Sequence, residues 1–343
     1  MKLLVYTPLL TPRIKYIFSF IFNDVLKTEI GFTTHVEEFA GSNLPKFSYA
    51  PQPIDTELFF KSTNLLLEHR VSRQHIKTTI FGETKVPFAV GNSTMPFDVF
   101  AASFYFLSRY EEYLHKTSKN YLHPYETSLQ HQLKILKLPI IDSWALILKN
   151  ILLKHFPSLW FGKRHFSFNP VYSSHPTTTI GKNLVAKTIS TIKAFMVKKL
   201  TRHEEKIAGI NMILADMKRF GFIQKPGFSI PNLQGKHHFD AKMKMPKSYI
   251  KLANTIAKND YSMYYNDYPG FRAGTSIPFY WYDLQLEKKT QLLLHPVAAT
   301  DIALLNNKTS QELLLQINEL IDSVKLVNGD FYFLSLYNDI RPQ

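Results

Sequence analysis

The clearest hydrophobic pattern in the chain lies between Asp98 and Leu114. Apolar side chains recur at helical spacing from Val99 to Leu107, and small residues among them allow another element to approach closely. Asp98 is placed to accept a backbone N–H at the start of this helix, and Pro96 favours an extended entry. Because apolar residues cover nearly every side, the pattern predicts a buried helix within an α/β core.

Weaker patterns predict alternating strands and helices in the rest of the first half. The clearest is a helix over 141–156, with Asp142 or Ser143 as its cap. The other predicted helices are 13–22 and 55–67, and the predicted strands are 2–7, 30–37, 46–50 and 80–90. This alternation predicts an open parallel or mixed sheet over residues 1–163.

The second half begins with an alternating strand over 164–172. A basic amphipathic helix is predicted over 184–200, and a helix with a regular 3.6-residue pattern over 310–327, followed by a last strand over 331–339. These elements predict a second α/β domain over residues 164–343.

Composition and charge restrict the classes of function that the chain can have. The 343 residues include no cysteine, which excludes disulfides, thiolate metal sites and a cysteine nucleophile. Of the formal net charge of +14, residues 182–251 supply +11, from 15 Lys or Arg against 4 Asp or Glu. This region predicts contact with an anionic membrane surface, with a solvated face as the alternative. Nucleic acid is a third reading, which no nucleic-acid motif supports.

Two further signals are missing. Neither Gly-rich phosphate-binding pattern occurs, so no cofactor is predicted. No stretch reaches the roughly 18–20 apolar residues of a membrane-spanning helix. A cytoplasmic location is therefore expected, with a peripheral position at the inner membrane as the alternative.

The run from Pro96 to Tyr113 resembles a signature in bacterial polysaccharide deacetylase-like proteins of the Bacteroidota type, where it lies in an N-terminal domain of unknown function. The similarity resumes at Lys236–Phe239 and is strongest over Tyr268–Asp283. The resemblance implies an N-terminal α/β domain of unknown function over 1–163. It implies a shortened, degenerate (β/α)-barrel-like deacetylase domain over 164–343.

The family removes an N-acetyl group from a sugar with a metal-activated water, a general base and a general acid. This chain departs from the family pattern at three places. His175 stands where paired carboxylates are expected, residues 208–236 are compressed where the family has a second metal-binding motif, and Leu336-Tyr337-Asn338 lacks the expected last-strand histidine. One imidazole cannot replace two carboxylates at a metal site.

The resemblance therefore implies a protein without hydrolase activity and without a catalytic metal. His175, His238 and His295 are the candidates for a catalytic role that the chain retains. The alternative is an active deacetylase with a rearranged site built from His175, His237, His238 and Asp240.

Candidate binding residues lie mainly in the second similar stretch. Arg272 stands between two glycines and offers a planar fork of donors to a sugar hydroxyl, carboxylate or phosphate, or it forms a structural ion pair with Asp267 or Asp283. Trp281 and Tyr282 are predicted to stack on a sugar, with a core strand as the alternative.

Two further residues are predicted to bind ligand. Arg109, with Glu112, is placed either at a pocket rim or at a helix tip, and Lys236 lies in the similar stretch that lines the family's site. The expected ligand is a glycan or glycan precursor of cell-envelope polysaccharide metabolism, with a protein partner as an alternative.

Overall fold

The computed structural model describes residues 2–114, 124–172, 237–238, 245–305 and 310–335. Helices and strands alternate along the chain, so the predicted α/β class is confirmed. Within these residues, the strands form two larger sheets and one hairpin.

The first sheet has four parallel strands in the order β2-β1-β3-β4. They are β1 (Leu3–Tyr6), β2 (Ile30–Thr33), β3 (Lys46–Ala50) and β4 (Phe59–Lys61). Helix α1 (Pro12–Phe18), continued by a π-helical segment (Ser19–Val25), and helix α2 (Val36–Gly41) lie in the connections. The two central strands are almost wholly buried, as their continuous apolar runs predict for a parallel sheet.

Some predicted elements in this half are wrong. The strand predicted over 30–37 ends early, because α2 begins at Val36. The helix predicted over 55–67 is β4 followed by a 3₁₀ turn (Asn64–Leu66), since this segment pairs with β3. The extended chain predicted over 80–90 is a hairpin of β5 (Thr78–Phe81) and β6 (Thr84–Pro87), because Gly82 turns the chain at a φ of +59°.

The buried helix predicted at the signature is confirmed. Helix α3 (Val99–Leu107) has all nine residues buried, and the Asp98 carboxylate caps it by accepting the N–H of Ala101 at 2.9 Å. Arg109 then takes a positive φ of +55°, and α4 (Tyr110–Leu114) continues in a new direction.

Helix α5 (Leu129–Gln132) precedes the long helix α6 (Ile140–His155), which matches its prediction to within one residue. Its predicted cap is wrong. The N-cap residue is Pro139, and Asp142 lies inside the first turn, where it accepts hydrogen bonds from a distant part of the chain.

The second sheet is built from residues after 163. Its strands are β7 (Ser167–Tyr172), β8 (His237–His238), β9 (Asn259–Met263), β10 (Phe279–Asp283), β11 (Lys288–Thr300) and β12 (Asp330–Ser335). The order is β7-β12-β11-β9-β8 with all neighbours parallel, and β10 adds antiparallel to β11. Within this sheet, the first strand in sequence, β7, thus pairs with the last, β12. Among the described strands, β7 and β8 lie at the two edges.

Three helices in the described part of the chain accompany this sheet: α7 (Lys247–Ala253), α8 (Asp301–Leu305) and α9 (Ser310–Leu326). Helix α9 confirms the helix predicted from residue 310. It packs Ile317, Leu320 and Val324 against one face of the sheet, where Phe168 and Phe331 stack at 5.5 Å.

The largest hydrophobic core is shared by the two halves. It joins β1, α3 and α6 to buried residues of β10 and β11, including Phe279, Trp281 and Leu294. The predicted division at residues 163/164 stays a prediction, but the buried core runs across it. No helix in the described part of the chain is long and apolar enough to cross a membrane.

Candidate functional site

A buried charge network, formed by Arg109, Glu111, Glu112 and Arg272, occupies the position where the sequence predicts a binding site. The positive φ at Arg109 turns this side chain inward between α3 and α4. Arg109 is 1% exposed and Arg272 is 3% exposed. Arg109 and Glu112 therefore lie inside the core, and the predicted pocket rim is corrected to a buried position.

The guanidinium of Arg109 uses all of its N–H groups inside the protein. Its Nε donates to Glu112 at 2.8 Å, and its Nη2 donates to Glu111 at 2.9 Å and to the Tyr265 hydroxyl at 3.0 Å. Its Nη1 donates to the Gln130 side chain at 2.9 Å and to the backbone carbonyl of Arg272. A side chain with five satisfied donors has none left for a ligand.

Each of the three guanidinium nitrogens of Arg272 also has a hydrogen-bond partner inside the protein. Its Nε and Nη2 donate to the two oxygens of Glu112 at 3.0 and 2.7 Å, and its Nη1 donates to the carbonyl of Tyr264 at 2.9 Å. The predicted alternative of an ion pair is thus observed, but the partner is Glu112. The carboxylate of Asp283 instead accepts backbone N–H groups of its own turn, and Asp267 is exposed.

The network contains two positive and two negative side chains. The pKa shifts of three of them follow from their burial and from the opposite charges beside them. Burial acts to lower the pKa of Arg109, but Tyr265, Glu112 and Glu111 outweigh it, and the pKa lies above the ordinary value. Burial also opposes the charge on Arg272, and Glu112 more than restores its pKa. Burial raises the pKa of Glu111, against the opposing effect of Arg109. The network is a charge-balanced structural unit.

The glycines beside Arg272 serve packing in this structure. A Cβ added at Gly270 would lie 2.7 Å from the carbonyl oxygen of Leu136, which is closer than any real side chain allows. Gly274 has a φ of +73°, and its carbonyl accepts the N–H of Ile141 at 2.9 Å. Both glycines let the backbone approach the first half of the chain.

The predicted aromatic binding residues are core residues. Trp281 and Tyr282 are each 1% exposed. Trp281 stacks on Tyr249 at 5.7 Å, and Tyr282 packs on Tyr16 at 4.7 Å. The exposed aromatic of this strand is Tyr280, at 42%, where the ammonium of Lys289 lies over its ring. A sugar-stacking role for Trp281 or Tyr282 remains a prediction that the geometry does not favour.

The remaining predicted site residues are mostly outside the described chain. His175, Lys236 and Asp240 lie there, as does most of the basic region 182–251. For His237 and His238 only the backbone is described, as the short strand β8 beside Asn259 and Asp260. Within the described residues, no three His, Asp or Glu side chains lie close enough together to hold a metal ion.

His295 belongs to a second group of polar and aromatic residues. The sequence places it after an apolar strand, but β11 continues to Thr300, so His295 lies in the middle of the strand. The strand continues because β11 pairs with β9 as far as Pro296, across a register shift after Leu294, and then pairs with β12 from Val297 to Thr300.

We name this group the tyrosine–histidine face, formed by Asn169, Asn259, Tyr261, His295 and Tyr332. Its members come from four neighbouring strands, β7, β9, β11 and β12. Alternation along β12 separates them from Phe331 and Phe333, which face α9. All five are half-buried.

The rings of this face pack on one another. Tyr261 and His295 are stacked, with centroids 4.4 Å apart and planes 10° from parallel. Tyr332 approaches the edge of His295 at 5.2 Å. The Nε2 of His295 is hydrogen-bonded to the side-chain oxygen of Asn259 at 2.9 Å. Rings beside amide groups form a surface that can stack on a planar apolar face and hydrogen-bond to hydroxyls.

Asn259, Tyr261 and Tyr332 were not singled out by the sequence analysis. The signal present is the alternation of Asn259 and Tyr261 with the buried Asp260 and Ser262. Such alternation indicates a strand, but it does not reveal which other strands lie alongside.

A comparison with protein families finds one match. Residues 3–157 match a family of unknown function, DUF7033. The match agrees with the predicted N-terminal region of unknown function and covers α3, α4 and α6. No curated protein and no solved structure matches the chain.

Proposed function

We propose that this chain is a polysaccharide deacetylase-like protein that binds a glycan or glycan precursor of cell-envelope metabolism and does not hydrolyse it. The observation that carries the proposal is the tyrosine–histidine face. It combines stacked rings with two side-chain amides and an imidazole, and none of its five described residues is a carboxylate.

The sheet around this face is compatible with the barrel part of the proposal. All strands of the β7-β12-β11-β9-β8 path run parallel, and the first strand in sequence pairs with the last. That pairing is the one that closes a (β/α)-barrel, and helix α9 lies on the opposite face from Tyr332, as barrel helices do. We propose that residues 164–343 form a shortened (β/α)-barrel.

The chemistry of the face argues for binding over hydrolysis. Metal-assisted amide hydrolysis needs a ligand set and a base near the reacting carbonyl. His295 is the one imidazole of the face, and its Nε2 is engaged by Asn259. A flat ring pair beside amides suits an uncharged sugar ring, whose C–H face stacks while its hydroxyls accept and donate hydrogen bonds.

One experiment separates this proposal from the active-enzyme alternative. Purified protein is analysed for bound metal, then incubated with N-acetylated oligosaccharides while acetate release is followed. We expect less than about 0.1 divalent ion per chain, no acetate and measurable oligosaccharide binding. About one zinc, nickel or cobalt ion per chain together with acetate release would establish the rearranged enzyme instead.

The basic region supports a second candidate function. Its net charge of +11 over 182–251 favours contact with an anionic membrane surface. Flotation with phosphatidylglycerol vesicles at low salt, repeated with DNA in place of vesicles, tests this. Binding that weakens steeply as salt rises is expected for an electrostatic contact. Absence of binding to either at low salt assigns the charge to a solvated face.

A further inference from the structure

Three buried charged groups in residues 3–157 find their partners beyond residue 163. Glu112 binds Arg272 through both oxygens. Arg13, which is fully buried, donates to both oxygens of Glu287, at 2.5 to 3.2 Å. Asp142, also fully buried, accepts the Ser276 N–H at 2.8 Å and the hydroxyl of Ser276 at 2.6 Å.

All of these partners lie in one stretch, which we name the docking segment, residues 264–287. Backbone groups join it to the same surface: the N–H of Phe271 donates to Leu136 O at 2.8 Å, and Gln130 Nε2 donates to the carbonyl of Phe271 at 2.9 Å. Gly270 fits against Leu136 only because it has no side chain. The contacts are specific in charge, hydrogen bonding and shape.

The stretch that matches the family model therefore carries an interaction surface whose partner is a segment of its own chain. Without the docking segment, Arg13 would keep Leu65 O as a partner and lose Glu287. Arg109 would lose Tyr265 and the Arg272 carbonyl. Asp142 would lose the three hydrogen bonds that hold its charge in the core. Charges buried without partners are strongly disfavoured.

We propose that the docking segment completes the fold of residues 3–157, so that the two halves unfold as one cooperative unit. The predicted boundary at residues 163/164 then divides the sequence, but it does not separate two parts that are stable on their own. Arrangements of this kind differ from ordinary two-domain chains, whose interfaces are more polar and whose domains can fold alone.

The same contacts couple this surface to the tyrosine–histidine face. The Tyr265 hydroxyl accepts from Arg109, and the preceding Tyr264 gives its carbonyl to Arg272. The ring of Tyr264 packs with Val297 and Leu334, next to Tyr261 and Tyr332. The charge network thus contacts the residue that directly follows β9, the strand that carries Tyr261.

Native-state hydrogen exchange on the full chain tests the proposal. The probes are amides of α3, in the first half, and of β12, in the second, followed as denaturant rises. One cooperative unit predicts that their slowest-exchanging amides open with the same midpoint and the same denaturant dependence, with rates that agree within about threefold. Opening of either set while the other stays protected would overturn the proposal.

A variant pair sharpens the result. Glu112→Gln should raise exchange at α3 and β12 by the same factor, between about a hundredfold and a few thousandfold, because it leaves two buried guanidinium groups facing one carboxylate. The matched control is Glu319→Gln, an exposed carboxylate 3.7 Å from Lys137, which should change exchange by less than about threefold. Acceleration of exchange confined to α3 in Glu112→Gln counts against the proposal. If that variant does not fold, the comparison of α3 and β12 amides in the wild type still decides the proposal.

Discussion

Replacing Glu112 with glutamine is the most informative perturbation of the buried charge network. The two side chains have the same shape, so the change removes a charge without creating a cavity. Glu112 accepts from Arg109 at 2.8 Å and from Arg272 at 3.0 and 2.7 Å, and all three residues are at most 5% exposed. Removing one partner of a buried ion pair costs about 3–5 kcal/mol, because the remaining charge stays desolvated.

The expected shift in melting temperature depends on how much of the chain unfolds together. The unfolding entropy is about 2.1 cal/mol/K per residue, so 343 residues give about 0.7 kcal/mol/K. A loss of about 3–5 kcal/mol then lowers Tm by about 4–7 °C. If the first half melted alone, with about half of that entropy, the same loss would lower its Tm by about twice as much.

Differential scanning calorimetry measures this directly. We expect a single transition in the wild type and in each variant. The Tm of Glu112→Gln should be lower than that of the wild type by several degrees, and the Tm of Glu319→Gln should be unchanged within about 1 °C. A Glu112→Gln protein as stable as the wild type would show that the network does not carry buried charge, and the reasoning would fail.

Three further predictions concern single positions in the same interface. Burial raises the pKa of Asp142 to about 6, against hydrogen bonds from Ser276 and Thr275 that lower it. Because the folded-state pKa lies above the unfolded one, Asp142 stabilises the fold below about pH 4 and loses that contribution as pH rises through 6. The free energy of unfolding of the wild type, relative to Asp142→Asn, should fall by about 2 kcal/mol from pH 4 to 7 in urea titrations, and a pH-independent difference would refute the assignment. Gly270→Ala should cost about 1–3 kcal/mol in the same assay, because its Cβ would meet Leu136 O, whereas Gly91→Ala, with nothing within 4 Å, should be nearly neutral. Arg272→Lys should lower Tm and leave oligosaccharide binding by the folded protein unchanged, since an ammonium cannot bind both oxygens of Glu112; a stable Lys variant that has lost binding would restore Arg272 as a recognition residue.

Sequence patterns predict correctly those helices whose formation depends on residues close together along the chain. Helix α3 was placed correctly because its cap at Asp98 and its apolar positions are local signals. Helix α9 was found for the same reason. By contrast, the 55–67 segment has helical spacing, but pairing with β3 makes part of it a strand. Sheet pairing is a long-range contact that local spacing does not report.

In the candidate site, contacts between residues that are distant in sequence decide even more of the arrangement. Arg272 and Glu112 are 160 residues apart, so neither sequence neighbourhood reveals the pair. Asp142 resembles a cap by position, yet its partners are Thr275 and Ser276, more than 130 residues away.

The burial of both Trp281 and Tyr282 in β10 could not be predicted from the sequence for a different reason. Strict alternation would place Trp281 and Tyr282 on opposite faces, with one of them exposed. A register shift between Tyr280 and Tyr282 interrupts the pleat, so both are buried and Tyr280 is exposed in their place. A bulge of this kind leaves no distinct mark in the sequence.

The most direct test of the proposed function is a calorimetric titration of the chain with an uncharged oligosaccharide, using a tetramer of N-acetylglucosamine and a tetramer of glucose as probes. Wild-type protein and three variants are compared: Tyr261→Ala and Tyr332→Ala on the tyrosine–histidine face, and Tyr280→Ala as an exposed tyrosine outside it. We expect at least one probe to bind the wild type and Tyr280→Ala with the same Kd. Each face variant should bind about two- to tenfold more weakly, in line with the roughly 0.5–1.5 kcal/mol that a ring contact contributes. Binding that is unchanged in both face variants, or absent from the wild type with both probes, would contradict the account.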